Sequence, residues 1–353
     1  MFSKRTQNTE CTNNQNPFGF HLSDGAVYNY LTGNEYEDIF AAWDWNLIPG
    51  ITTDYNATLL SCSTARKTGT QGFVGGASTG TIGVAAMRYE NPTSKALNWR
   101  KTWFFLNNDV QFVMVARLTS TSTAPVLSVL DQRRQDGAVF VNGAQGNGGN
   151  FSSAATLWHG GVGYAFNTSN PSTTLSVTLG ASTGSWQTIG SSSATATPVN
   201  LFAAWLNHND LTASSSYTVF PGTTQTSFQQ KLSSMQLTSI RNDGSISALL
   251  DTPNKIAMIV YWVDAGGSVT IPPITVGNAP LTVKSNGSSI IILNLSTWAV
   301  TISEPTQTLT SLIINFNLGT GTIPTGWAST NKAQTMSINL PTVSGSSVQQ
   351  NLF

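Results

Sequence analysis

The chain has 353 residues, 40% of them hydrophobic and only 9% charged, with sixteen basic residues balancing sixteen acidic ones. That length holds two domains of ordinary size, and the apolar fraction excludes wholesale disorder. No basic cluster exceeds Arg133-Arg134, which excludes a nucleic-acid partner, and the longest apolar run, residues 256–263, is far short of the roughly 20 residues of a membrane helix.

The opening residues, Met1-Phe2-Ser3-Lys4-Arg5-Thr6, contain no apolar stretch of signal-peptide length. This leaves an intracellular protein, or a chain that begins inside a longer one. Residues 5–13 set Arg, Glu and Asn beside small polar residues without apolar alternation, which alone reads as a solvated terminus. Cys11 and Cys62, the only cysteines, leave one disulfide and two thiols equally open. His21, His159 and His208 stand too far apart for metal-ligand spacing, so no metal is expected and each histidine is read as structural. Trp43-Asp44-Trp45 would put both indoles on one face if extended. Trp43 and Trp45 are therefore the best sugar-stacking candidates, although a tryptophan in a sandwich more often fills core.

Beyond residue 100, short apolar and β-branched runs recur between turn residues, the pattern of an all-β protein. Strands are expected at 110–118, 138–141, 175–179, 201–206, 217–220, 256–263, 281–284, 290–295, 299–302, 309–316 and 335–340. Residues 143–150 and 167–173 read as loops, and 228–235 as one or two turns of helix. No crossover helices separate the strands, so the sheets are antiparallel and packed face to face. A break is expected within 263–278, around Asp264-Ala265-Gly266-Gly267 and Pro272-Pro273, giving domains at 1–270 and 271–353. Two Gly-x-Ser-x-Gly matches, Gly76–Gly80 and Gly180–Gly184, lack a following helical pattern and read as glycine loops, not nucleophile elbows.

Several segments in order resemble the central and carboxy-terminal domains of polysaccharide lyase family 8. They are SKRTQNTECTNNQN (3–16), SDGAVYNYLTGNEYEDIFAAWDWNLIPGIT (23–52), GFVGGASTGTIGVAAM (72–87), KTWFFLNNDVQFV (101–113), LWHGGVGYAF (157–166), GSWQTIG (184–190), LFAAWLNH (201–208) and ISEPTQ (302–307). Trp-Asp-Trp followed by Ile48-Pro49-Gly50-Ile51-Thr52 is the most telling piece. The resemblance implies a large antiparallel β-sandwich, of the galactose-mutarotase-like supersandwich type, followed by a smaller carboxy-terminal β-sandwich. It implies β-elimination on an acidic polysaccharide without a cofactor, and secretion to the extracellular space.

In the family, the catalytic Asn, His and Tyr sit on a helical toroid that precedes the region matched here. The chain alone is therefore expected to be inactive, with that toroid as its partner in cis. What carries over is the edge of the cleft. Glu10 aligns with a glutamate that orients catalytic groups, and Asn13 with a substrate-contacting asparagine. Arg5, in the same strip, would contact the anionic chain or pair with Glu10. The family often continues Gly-Glu-Asn where this chain has Asn14-Gln15-Asn16, a departure that bears on which sugar is accepted. The competing reading is a free-standing carbohydrate-binding β-sandwich without catalysis.

Overall fold

The computed structural model describes residues 2–4, 11–13, 15–64, 67–167, 172–195, 198–341 and 346–353. The chain folds as two compact units, one of Met1–Gln71, Tyr89–Trp99 and Arg117–Gln230, the other of Gly72–Arg88, Arg100–Ala116 and Lys231–Phe353. The strand pairings described within them are antiparallel, as the absence of crossover helices requires.

In the first unit a five-stranded sheet runs in the order Gly149–Phe151, Thr173–Ser182, Val199–His208, Val126–Arg134, Thr52–Asp54. One face carries Leu127, Val129, Leu201 and Ala203, against which Ala26, Tyr36, Ile39, Trp43, Trp45, Leu47, Ile48 and Ile51 pack as one core. The 26–51 segment reaches this face without long regular structure and is fixed by individual backbone bonds. The Val27 N–H donates to the Pro49 carbonyl (2.8 Å), the Gly50 N–H to that of Val129 (3.0 Å), and the Val129 N–H to that of Ile51 (2.9 Å). Gly50 is obligatory in this arrangement. Its φ is +87°, and an added Cβ would lie 2.5 Å from the Val27 nitrogen.

A further sheet in the first unit runs Ala144–Gly146, Val139–Val141, Thr156–His159, Val162–Phe166, Ser215–Pro221, and in the second unit Gly83–Glu90 pairs with Val74–Ser78. The second unit holds a six-stranded and a four-stranded sheet. The first runs Leu237–Asn242, Ile246–Asp251, Ile256–Tyr261, Ser289–Asn294, Ala299–Ser303, Val348–Asn351, and the second Gly267–Ile271, Leu281–Ser285, Ser311–Leu318, Ala333–Asn339. Between them lies one continuous core from Ile246 to Ile338, including Ile259, Val283, Ile291, Ile314 and Phe316 at 0% exposure. Each such side chain contributes about 1.5–3 kcal/mol of burial.

This core spans the expected break at 263–278, because the strands at 246–261 share it with those beyond 270. Residues 143–150, expected as loop, contain most of two short strands, and the expected turns of helix at 228–235 lengthen to Gln225–Ser234. A single helical turn, Trp186–Ile189, follows the second glycine-serine motif. Ser182 of that motif donates to the Ala42 carbonyl (2.9 Å), and Gly184 passes so near Ala41 that a Cβ would meet its carbonyl oxygen at 1.5 Å. The motif is a site of close backbone approach. No helix among the described residues is long and apolar enough to cross a membrane.

Candidate functional site

The amino-terminal strip is anchored at both ends. Phe2–Lys4 pairs antiparallel with Asp24–Val27. Cys11 is disulfide-bonded to Cys62 with Cα atoms 6.1 Å apart, and the Thr12 hydroxyl both donates to the Cys62 carbonyl (3.4 Å) and accepts its N–H (3.2 Å). Farther on, His21 Nδ1 lies 3.0 Å from Asp24 Oδ2, His21 Nε2 lies 3.3 Å from the Thr53 hydroxyl, and the Tyr89 hydroxyl donates to Asp24 (3.2 Å).

Between these anchors, Asn13 is exposed and its side-chain oxygen accepts the N–H groups of Gln15 (2.8 Å) and Asn16 (2.9 Å). This turn engages the amide oxygen through the local bonding natural to asparagine. Arg5 and Glu10, expected to share the strip, lie outside the described residues.

Phe18 joins the strip to an aromatic cluster, its ring 6.4 Å from that of Trp45. Trp43 packs against Phe40 (4.9 Å), Trp45 (5.6 Å) and Tyr28 (6.3 Å). The expectation for Trp43 and Trp45 is corrected here. The segment turns instead of extending, the indoles meet edge to face, and exposures of 6% and 8% leave no ring face for a sugar to stack on. Trp45 Nε1 donates to the Phe40 carbonyl (3.1 Å). The open rim of the cluster belongs instead to Tyr30, which is 47% exposed and packs on Tyr36 with centroids 5.0 Å apart. Its signal in the sequence is the Tyr28-Asn29-Tyr30 alternation, which does not distinguish an edge from a core.

Beneath the cluster sits a buried ion pair. Arg133 Nη2 lies 2.6 Å from Asp131 Oδ2, with both side chains at most 2% exposed. The same nitrogen donates to the Asn29 carbonyl (3.1 Å) and the Tyr36 hydroxyl (3.1 Å), and the hydroxyls of Tyr36 (3.0 Å) and Tyr164 (3.4 Å) donate to Asp131. Burial raises the pKa of Asp131, opposed by the guanidinium and these hydroxyls.

All three histidines are buried, at 1%, 1% and 9% exposure for His21, His159 and His208. His208 Nε2 lies 2.8 Å from the Ser128 hydroxyl. His159 stacks on Phe202 and accepts the Asp136 N–H at Nε2 (3.0 Å); burial, aided by Arg133, lowers its pKa to about 3. None is presented to solvent as a general base. Among the described residues, no group of three or more His, Cys, Asp or Glu is arranged to hold a metal ion. Glu304 of the ISEPTQ segment accepts the N–H groups of Thr306 (2.8 Å) and Thr308 (2.9 Å), so this carboxylate closes its own loop.

The family model described as polysaccharide lyase family 8, super-sandwich domain, matches residues 1–232, about two-thirds of the chain. The chain belongs to polysaccharide lyase family 8. The model of that family's carboxy-terminal β-sandwich domain matches residues 239–313. Chondroitinase-AC of Pedobacter heparinus is 30% identical over 231 residues, covering 63% of this chain and 32% of that protein. A polysaccharide lyase 8 family protein of Enterococcus faecalis is 28% identical over 137 residues, covering 38% of this chain and 10% of its relative.

The chain thus spans about a third or less of these family 8 relatives. Among solved structures, chondroitinase AC lyase, studied as enzyme–oligosaccharide complexes, superposes with a TM-score of 0.83 at 21% identity, covering 99% of this chain and 50% of that one. Paenibacillus xanthan lyase gives 0.76 at 22% identity, covering 90% and 31%. These two establish the family 8 fold.

Proposed function

We propose that this chain forms the sugar-positioning wall of a lyase that cleaves a uronic-acid-containing polysaccharide by β-elimination. The groups that move protons would belong to a helical toroid outside the chain. In that reaction a base removes the C5 proton of the uronic acid, electrons flow to C4, and the C4–oxygen bond breaks with a proton delivered to the departing oxygen. The uronate carboxylate must be met by hydrogen-bond donors as charge develops beside it. No water attacks, so the paired carboxylates of a glycosidase are not required.

Family membership supports the reaction class, and the names of the chondroitinase-AC relatives support an acidic polymer as substrate. The observation that carries the division of labour is the burial of every histidine, beside an exposed Asn13 held by the Cys11–Cys62 clasp. We assign Asn13 to substrate contact, with Glu10 orienting catalytic groups and Arg5 either contacting the anionic chain or pairing with Glu10. A disulfide is of the kind that persists in oxidising compartments, which supports an extracellular protein.

The test is ultraviolet absorbance of the unsaturated product with hyaluronan, chondroitin and xanthan. The expected result is no turnover by this chain alone, because groups that act as a unit forfeit nearly all their effect when separated. Turnover by a longer protein bearing the toroid, reduced by Asn13→Ala, supports the reading. Robust turnover by residues 1–353 in isolation overturns it.

A further inference from the structure

An asparagine followed by glycine is prone to modify itself, because no side chain on the second residue shields the amide nitrogen that can attack the first. The chain has three such steps, Asn142-Gly143, Asn147-Gly148 and Asn286-Gly287. All three asparagines are exposed, so neither sequence nor accessibility separates them. Nothing in the reaction proposed above uses any of them.

Hydrogen bonding does separate them. The Asn142 side-chain oxygen accepts the N–H groups of Ala155 (2.7 Å) and Thr156 (3.1 Å), and its amide nitrogen donates to the Ser153 carbonyl (3.4 Å). Its backbone is held at φ +52° in the turn joining Val139–Val141 to Ala144–Gly146. The Asn286 side-chain oxygen accepts the Ile313 N–H (2.9 Å), and its own N–H donates to the Ile313 carbonyl (3.2 Å). There the attacking atom is occupied as well, since the buried Gly287 N–H donates to the Ser285 hydroxyl (3.3 Å).

Asn147 differs. Its side chain makes no hydrogen bond among the described residues, and it lies in the two-residue connection between Ala144–Gly146 and Gly149–Phe151. The glycine after it is required by the fold. Gly148 has φ +94°, and an added Cβ would lie 2.8 Å from the Val177 carbonyl oxygen. Close backbone approach therefore keeps a glycine beside an unrestrained asparagine amide.

We propose that Asn147 is a site of spontaneous deamidation, and that its conversion loosens the strand Gly149–Phe151. The Gly148 amide nitrogen gives its proton to solvent and attacks the Asn147 side-chain carbonyl carbon. A carbon–nitrogen bond forms, that of the side-chain amide breaks, and ammonia leaves behind a cyclic imide. Water then opens either imide carbonyl. The product is aspartate, or isoaspartate with the main chain rerouted through the side chain. Isoaspartate lengthens the short connection by one main-chain carbon and adds a negative charge. The adjoining strand has only three residues at the edge of its sheet. It is held by pairing with residues 175–177 and by the Ser176 hydroxyl, which donates to the Asn150 side-chain oxygen (2.5 Å). Little local structure resists the change.

The experiment is peptide mapping by mass spectrometry of the full chain aged in mildly alkaline buffer, with isoaspartate read by enzymatic carboxyl methylation. The folded chain is expected to convert at Asn147 more than about tenfold faster than at Asn142 or Asn286, which react only through locally opened forms. In concentrated urea the three rates should draw level. Asn147→Gln should remove the early signal. Converted chain should exchange amide hydrogens at 149–151 faster than fresh chain.

Equal rates at the three sites of the folded chain overturn the proposal, as does an Asn147 still intact after Asn142 or Asn286 has converted. A rate order that persists in urea overturns its structural basis. Unchanged exchange at 149–151 in the converted chain overturns the coupling to the strand.

Discussion

Leu130 is one extra residue on the Val126–Arg134 strand. Its neighbours Val129 and Asp131 pair with the consecutive residues Trp205 and Ala204 of the adjacent strand, leaving Leu130 unmatched. This bulge shifts the alternation by one, so that Asp131 and Arg133 point to the opposite face from Leu127 and Val129. Asp131 accepts the hydroxyls of Tyr36 and Tyr164, and Arg133 donates to the Asn29 carbonyl, in a buried polar knot. Arg133 Nε and Nη1 have no acceptor among the described residues, so the guanidinium depends heavily on its aspartate. Arg133→Met should destabilise the fold by about 3–5 kcal/mol in urea unfolding, because it strands Asp131 in the interior. Asp131→Leu combined with Arg133→Met should recover much of that loss, and a single variant as stable as the parent would refute the dependence.

His159 makes a pH prediction at the same scale. Its imidazole titrates near 6.5 when unfolded and near 3 in the fold, chiefly because burial disfavours the cation. Between those values the unfolded chain takes up the proton and the folded chain does not. The contribution is intact above pH 6.5 and is lost as pH falls toward 3, on the order of 2–3 kcal/mol by about pH 4.5. Glu35 adds to the fall only below its unfolded value of 4.5. Burial raises its pKa, but the N–H groups of Thr32, Leu31 and Gly33 outweigh this and hold it at about 2. Denaturant midpoints measured between about pH 7 and 4.5 should decline, and His159→Gln should flatten the curve.

At the scale of elements, the clasp formed by Cys11 and Cys62 decides whether the strip bearing Asn13 keeps its place. The residues between the two cysteines contribute core through Tyr36, Trp43 and Ile48, so the loop is itself packed. A disulfide closing a 51-residue separation restricts the unfolded chain by roughly 4 kcal/mol in the loop-entropy account. Cys62→Ser should lower stability by an amount of that order in chemical denaturation. An unchanged midpoint would mean that the packed loop needs no covalent closure.

The whole molecule carries sixteen positive and sixteen negative side chains, so its formal charge vanishes near neutrality. Solubility should be lowest there and rise on either side within the folded range, read by light scattering against pH at low salt.

Taken along its length, the sequence by itself determined the all-β class, because the β-branched alternation of segments such as 281–284 and 309–316 lies in short-range order. It also determined the family, through ordered segments such as WDW…IPGIT. What it could not carry was the fate of particular side chains. Leu97–Phe105 and Val126–Arg134 escape an alternation search because Lys101, Asp131 and Arg133 are buried within them, an arrangement made acceptable in the second strand by partners distant in the chain. Trp43 and Trp45 look the same in sequence whether they line a groove or fill a core. The pairing of Cys11 with Cys62 is likewise a tertiary fact. Periodicity and local turn chemistry are written in neighbouring residues, whereas burial, pairing and satisfaction of polar groups depend on residues brought together from far along the chain.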